Sequence, residues 1–165
     1  MLAIKMILHP TDFSERSDFA FGLACALARD YGARLHVLHV GSGPVMVPVE
    51  GIGPPEPERY QDELTAKLHE MRAEAPDIPV EHQLLFVGDP AAEILRVAQA
   101  IKSDLIVMET HGRTGLGRLL MGSVAEQVVR KAACPVLTVK VPQCPPSSAE
   151  EPATAAAGEK AEATT

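Results

Sequence analysis

The stretch 103–139, SDLIVMETHGRTGLGRLLMGSVAEQVVRKAACPVLTV, limits the possible folds of this chain more than any other part of it. Two short apolar runs rich in β-formers, 104–110 and 135–140, bracket a glycine-spaced loop and a helical pattern running from Ser123 to about residue 133. Runs that are apolar on both faces read as strands covered on both sides. A strand, a helix and a second strand in succession form a parallel crossover unit.

The rest of the chain repeats the unit. Residues 3–9 are a buried-strand pattern stopped by Pro10, and Thr11 to Glu15 is a turn and helix entry with Asp12 or Ser14 available as N-cap. Phe19, Leu23, Leu27 and Tyr31 recur at helical spacing, which predicts an amphipathic helix with those residues as its apolar stripe and Gly32 as its stop. Residues 34–40 form a second strand. Residues 41–57 are rich in Gly and Pro and long for a connection inside a compact domain, so they read either as a lid over a ligand or as an unordered link.

Leu64, Leu68 and Met71 mark a surface helix over about 58–75. Residues 79–87 alternate through Val80, His82, Leu84 and Phe86, the pattern of an edge strand with one wetter face. Gly88-Asp89-Pro90 opens a helix with Asp89 as N-cap and Pro90 in its first turn, followed by Ile94, Leu95, Val97 and Ala98. Such alternation implies one α/β domain over residues 1–140, a parallel sheet with helices on both faces. Ligands of open sheets of this kind bind beyond the strand C-termini where the winding switches direction. Residues 141–165 are Pro, Ala, Glu and Thr with almost no large apolar side chain; the expectation is a disordered tail.

Charge and cysteines narrow the function. A net charge of −7 over 165 residues argues against unspecific nucleic-acid or anionic-membrane binding, which need a basic footprint. The first ten residues are apolar but too short to span a bilayer and lack a signal-peptide pattern, which points to the cytoplasm. Cys25, Cys134 and Cys144 show neither CxxC nor zinc spacing, and reduced, packed thiols are the simplest account.

The loop after residue 110 carries the chemistry. Gly112, Gly115, Gly117 and Gly122 are interspersed with Arg113, Arg118 and Ser123, and Gly122-Ser123 falls where the next helix begins. A helix start offers unpaired N–H groups and a positive dipole end, and the arginines add bidentate donors, so a phosphate group suits the loop. The plain alternative is a turning loop with Ser123 as an N-cap. The spacing is neither a P-loop nor GxGxxG.

The motif resembles the Gly-x2-Gly-x9-Gly-Ser/Thr nucleotide signature of the universal stress protein family. Its second glycine matches Gly112, and Gly122-Ser123 complete it, while the first glycine is replaced by Glu109. PTDFSE at 10–15, THGRTG, GSVAE and CPVLTV add to the likeness, which covers roughly residues 1–140. It implies an open five-stranded parallel sheet of order 3-2-1-4-5, Rossmann-like and similar to the adenine nucleotide alpha hydrolases, with strands one and four at the switch. It further implies an adenine nucleotide site: Pro10, Thr11 and Asp12 from the first strand's loop; Val40, whose backbone reads adenine; Met108 beside the base; Glu109, His111, Gly112 and Arg113; and Gly122, Ser123 and Val124 at the helix start. The ligand implied is ATP, ADP or AMP, with Mg²⁺ arriving on the nucleotide. The family also pairs its fifth strands, which here implies a homodimer through Val136, Leu137, Thr138 and Val139.

Two residue groups qualify this expectation. His9, His39 and His111 lie near strand ends and can be drawn as a metal cluster, although packing and hydrogen bonding explain histidines there equally well. Glu109 beside a triphosphate would repel it by about 1 kcal/mol at 4 Å in water and several times that in a dry cleft, whereas beside a ribose it would accept hydroxyl hydrogen bonds. The leading function is thus a nucleotide-binding stress regulator with little or no turnover, and no catalytic residue or metal ligand is assigned. A slow ATPase and a nucleotide-free signalling dimer with an unknown protein partner are the alternatives.

Overall fold

The computed structural model describes residues 3–41, 57–85, 88–110 and 122–140. Its elements in chain order are β1 (Met6–Pro10), α1 (Glu15–Tyr31), β2 (Arg34–Val40), α2 (Pro57–Ala73), β3 (Val80–Leu85), α3 (Pro90–Ala100), β4 (Leu105–Glu109), α4 (Ser123–Lys131) and β5 (Val136–Val139). The strands form one parallel sheet of order β3-β2-β1-β4-β5, as the resemblance implies. Register is set at the centre, where Ile7 pairs with Leu35 and Leu105, and Leu8 with His36 and Ile106. The side chain of Asp104 fastens the start of β4 to β1, accepting from the amides of Lys5 at 2.8 Å and Met6 at 3.0 Å.

The pleat divides the strand residues between two cores. Ile7, Leu35, Val37 and Val107 meet α1 and α2 through Phe21, Ala24, Cys25, Ala28, Leu68 and Met71. Leu8, Leu38, Ile106 and Met108 meet α3 and α4 through Ile94, Val97, Ala125 and Val128. Burying a side chain such as Leu8, fully enclosed here, contributes roughly 2 kcal/mol of transfer free energy.

The apolar stripe expected on α1 is corrected by the structure. Phe19 and Tyr31 are each 49% exposed and Leu23 is exposed, so that of the expected stripe Leu27 alone packs partly against the core, while the helix seats Ser17, Ala20, Phe21, Ala24, Cys25 and Ala28 against the sheet. Small side chains let the helix axis approach β1 and β4 closely, so the buried face is chosen by fit to the sheet more than by side-chain size. Other local expectations agree with the structure. Ser14 caps α1 and Gly32 ends it at φ 62°. Asp89 caps α3 with Pro90 in its first turn. Leu64, Leu68 and Met71 are the buried face of α2, and β3 is an edge strand. Phe86, Val87, Cys144, the segment 42–56 and the tail lie outside the described residues.

Candidate functional site

Where β1 and β4 lie side by side, their chains continue into helices on opposite faces, and a cleft of about 410 Å³ opens beyond their C-terminal ends. That volume is in the range of small-molecule sites. Its floor is apolar, with Pro10, Leu38, Val40 and Met108 from the strands and Ile94 from α3. Its polar wall includes Thr11, Asp12, Ser17, Glu109 and Ser123, and Tyr60 of α2 adds an aromatic ring.

The turn from β1 into α1 is held by its own hydrogen bonds. The Thr11 amide donates to the Leu38 carbonyl at 2.9 Å, and the Thr11 hydroxyl oxygen accepts from the Phe13 amide and the Ser17 hydroxyl, both at 3.0 Å. Asp12 Oδ1 accepts from the Ser14 amide at 3.0 Å. His39 Nδ1 lies 2.7 Å from the Thr11 carbonyl; a carbonyl only accepts, so that nitrogen carries the proton. Phe13 has a φ of 60°, which costs a non-glycine residue on the order of 1 kcal/mol or more. Its ring packs 4.4 Å from that of His39, with the Lys67 ammonium 5.5 Å from its centroid. The strain therefore belongs to a turn whose neighbours fix it. Within this frame Asp12 Oδ2 is buried and has no hydrogen-bond partner among the described residues, a group that calls for a donor.

On the opposite wall, α4 begins at Gly122, whose extended backbone (φ −59°, ψ 147°) directs the chain into the helix with no side chain capping it. The first intrahelical bond is from the Glu126 amide to the Gly122 carbonyl at 2.9 Å. The amides of Ser123, Val124 and Ala125 thus precede the helical ladder, and all three residues line the cleft. The Gly122 amide is different: it donates to the Thr110 carbonyl at 2.7 Å. This bond engages the Gly122 amide within the protein and joins the end of β4 to the start of α4.

Pro10, Thr11, Asp12, Val40, Met108, Glu109, Gly122, Ser123 and Val124, all expected at a site from sequence, line this one cleft. His111, Gly112 and Arg113 lie outside the described residues. Ser17, Leu38, His39, Gly41, Tyr60, Pro90, Ile94 and Ala125 also line it and were not foreseen as wall residues. Leu38 follows from Val40 by the two-residue period of a strand, whereas Tyr60 carries no local signal, being one polar-flanked aromatic on a charged helix.

Of the three histidines near strand ends, His9 and His39 are described and have separate roles. His9 is fully buried, bonded through Nδ1 to the Val107 carbonyl at 2.9 Å, and burial pushes its pKa down to about 4. His39 braces the turn. Among the described residues no three His, Cys, Asp or Glu side chains gather as metal ligands. Cys25 is buried and its thiol is pushed up to about 11, chiefly by desolvation, which makes it a poor nucleophile. None of the described helices is long and apolar enough to cross a membrane.

An open parallel sheet with its cleft at the switch point defines a doubly wound α/β domain. Comparison with known proteins then specifies the family. The universal stress protein family model matches residues 3–140. Universal stress protein MJ0531 of Methanocaldococcus jannaschii is 39% identical over 142 residues, covering 84% of each chain. The universal stress protein of the QAH/OAS sulfhydrylase 3′ region of Thermus aquaticus is 39% identical over 139 residues, 82% of this chain and 98% of that one. Among solved structures, MJ0577 superposes with a TM-score of 0.69 at 30% identity over 86% of this chain and 99% of its own. A universal stress protein solved in complex with cAMP superposes with a TM-score of 0.64 at 25% identity over 83% and 97%. The chain belongs to the universal stress protein family.

Proposed function

We propose that this chain is a stress-response regulator that binds an adenine nucleotide, ATP or AMP, in the cleft at the C-terminal ends of β1 and β4, with little or no turnover. The observation that carries the reading is the pairing across one cleft of a buried, unpartnered Asp12 Oδ2 with the uncapped first turn of α4. A carboxylate oxygen seeks a donor, which an adenine amine or a ribose hydroxyl supplies; helix-start amides seek an anion, which a phosphate supplies. The apolar floor of Leu38, Val40 and Met108 suits the faces of a base. The relative in complex with cAMP supports the class of ligand.

In this reading Pro10, Thr11, Asp12, Val40 and Met108 hold the nucleoside and Ser123 and Val124 hold the phosphate, with Glu109 at the sugar; His111, Gly112 and Arg113 complete the motif from the sequence. Any Mg²⁺ arrives on the nucleotide. The protein acts in the cytoplasm as a homodimer formed through the outer edge of β5, with a further protein partner, and contacts neither nucleic acid nor membrane. Glu109 in the cleft wall favours a second reading, a nucleotide-free dimer of the same family.

Calorimetric titration with ATP, ADP and AMP, with and without Mg²⁺, together with a phosphate-release assay, separates the possibilities. Saturable binding without release supports the proposal. Release that is lost in Asp12→Ala makes the protein a slow ATPase, and flat heats from an intact dimer favour the nucleotide-free reading.

A further inference from the structure

Resting on the nucleotide reading, we infer that Tyr60 is a ligand-binding residue of the cleft, its ring stacking on the face of the bound base. Tyr60, Leu64, Leu68 and Met71 recur at helical spacing along α2 and so share one face of it. The last three are buried in the protein, whereas Tyr60, at the head of the stripe, is only partly buried and lines the cleft. Its place there is fixed from below. Lys67, two turns further along the same face, sets its ammonium 5.5 Å from the ring centroid of Phe13, which ties α2 to the turn that bears Asp12.

The two layers of the fold give the cleft two unlike sides. Leu38, Val40 and Met108 pack with the core under α3 and α4, while α2 contributes Leu68 and Met71 to the core on the opposite face of the sheet. A flat ring in the cleft thus has aliphatic side chains on one side and Tyr60 on the other. Among the described residues lining the cleft Tyr60 is the single Phe, Tyr or Trp, and the sequence of segments 42–56 and 111–121 contains none, so neither segment supplies a second such ring. Every base has a π-face, and aromatic stacking on it is tolerant of which base is bound. Tyr60 therefore adds affinity for planar heterocycles as a class, independently of the phosphates.

The test uses NMR on the full chain with ring-labelled tyrosine. The chain has two tyrosines, Tyr31 and Tyr60, and Tyr31, at the end of α1, is not among the residues lining the cleft, so Tyr31→Phe assigns the signals. Adenosine and AMP should each move the Tyr60 ring signals upfield with saturation and leave those of Tyr31 in place. In calorimetry Tyr60→Leu, which keeps an apolar side chain without a π-face, should weaken adenosine and AMP alike by at least about 5-fold, and Tyr60→Phe should stay within about 2-fold of the wild type. The wild-type ring signals decide the matter should Tyr60→Leu fail to give the wild-type circular dichroism spectrum. Saturable AMP binding with the Tyr60 ring unmoved, or a folded Tyr60→Leu that binds as tightly as the wild type, overturns the inference while leaving a nucleotide site intact. Absence of saturable binding by adenosine and AMP removes the nucleotide reading itself, and the inference with it.

Discussion

The Gly122 amide lies 2.7 Å from the Thr110 carbonyl oxygen, and this bond holds the start of α4 against the end of β4. Gly122 thus supplies closure and an extended entry into the helix, and the proposed site assigns the donor role to the amides that follow.

A proline at the first helical position tests that division. Gly122 already has the extended conformation tolerated before proline, and the first helical residue needs no intrahelical N–H bond. Ser123→Pro should thus change unfolding free energy by no more than about 1 kcal/mol. It should weaken AMP roughly ten-fold, since hydrogen bonds to a charged group contribute about 1.5–3 kcal/mol. Denaturant melts and calorimetry on the same sample read both quantities, and undiminished affinity would place the phosphate elsewhere.

His9 gives the fold an acid limit. Burial lowers its pKa from 6.5 to about 4, so between those values the unfolded chain binds a proton that the folded chain excludes. Its contribution is present in full above pH 6.5 and is lost as pH falls toward 4, by about 3 kcal/mol in all. His36 and His82, also lowered chiefly by burial, act in the same direction. Urea melts across this range should show stability rising with pH, with a shallower slope in His9→Asn. An identical slope would assign the effect to other groups.

The edge of β5 supports the proposed dimer. Leu137 is 37% exposed and Val129 on the neighbouring α4 is 43% exposed, on a strand that ends the sheet. An open apolar edge invites pairing with a second copy. Leu137→Lys should convert a dimer into a monomer in sedimentation velocity while leaving circular dichroism unchanged. A dimer that persists would mean that the subunits meet through another surface.

Much of this architecture is legible in sequence because its strands are apolar on both faces and its helices are bounded by local signals such as Ser14, Gly32, Asp89 and Pro90. These cues act within a few residues of where they are written. The face of α1 was not legible, because Phe19 and Leu23 outweigh Ala20 and Ala24 in hydrophobicity, yet the helix turns the smaller pair, together with Phe21, to the sheet. Leu23→Ser should accordingly shift stability by less than about 0.5 kcal/mol and Ala24→Leu should cost about 1–3 kcal/mol. The reverse ranking in chemical denaturation would restore the stripe expected from sequence. At the site, Asp12 and Ser123 stand out through their motifs, whereas Tyr60 and His39 reach the cleft only through the docking of α2 and the turn after β1. Contacts of that kind depend on the assembled sheet and have no short-range spacing to betray them.

The most direct measurement is an amide NMR titration with AMP, since it reports binding and its location together. Saturable shifts concentrated at Asp12, Gly41, Glu109, Ser123 and Val124, with the amides of Leu68 and Glu81 unmoved, are what the proposed site predicts. A spectrum that does not respond, or shifts centred away from the ends of β1 and β4, would contradict it.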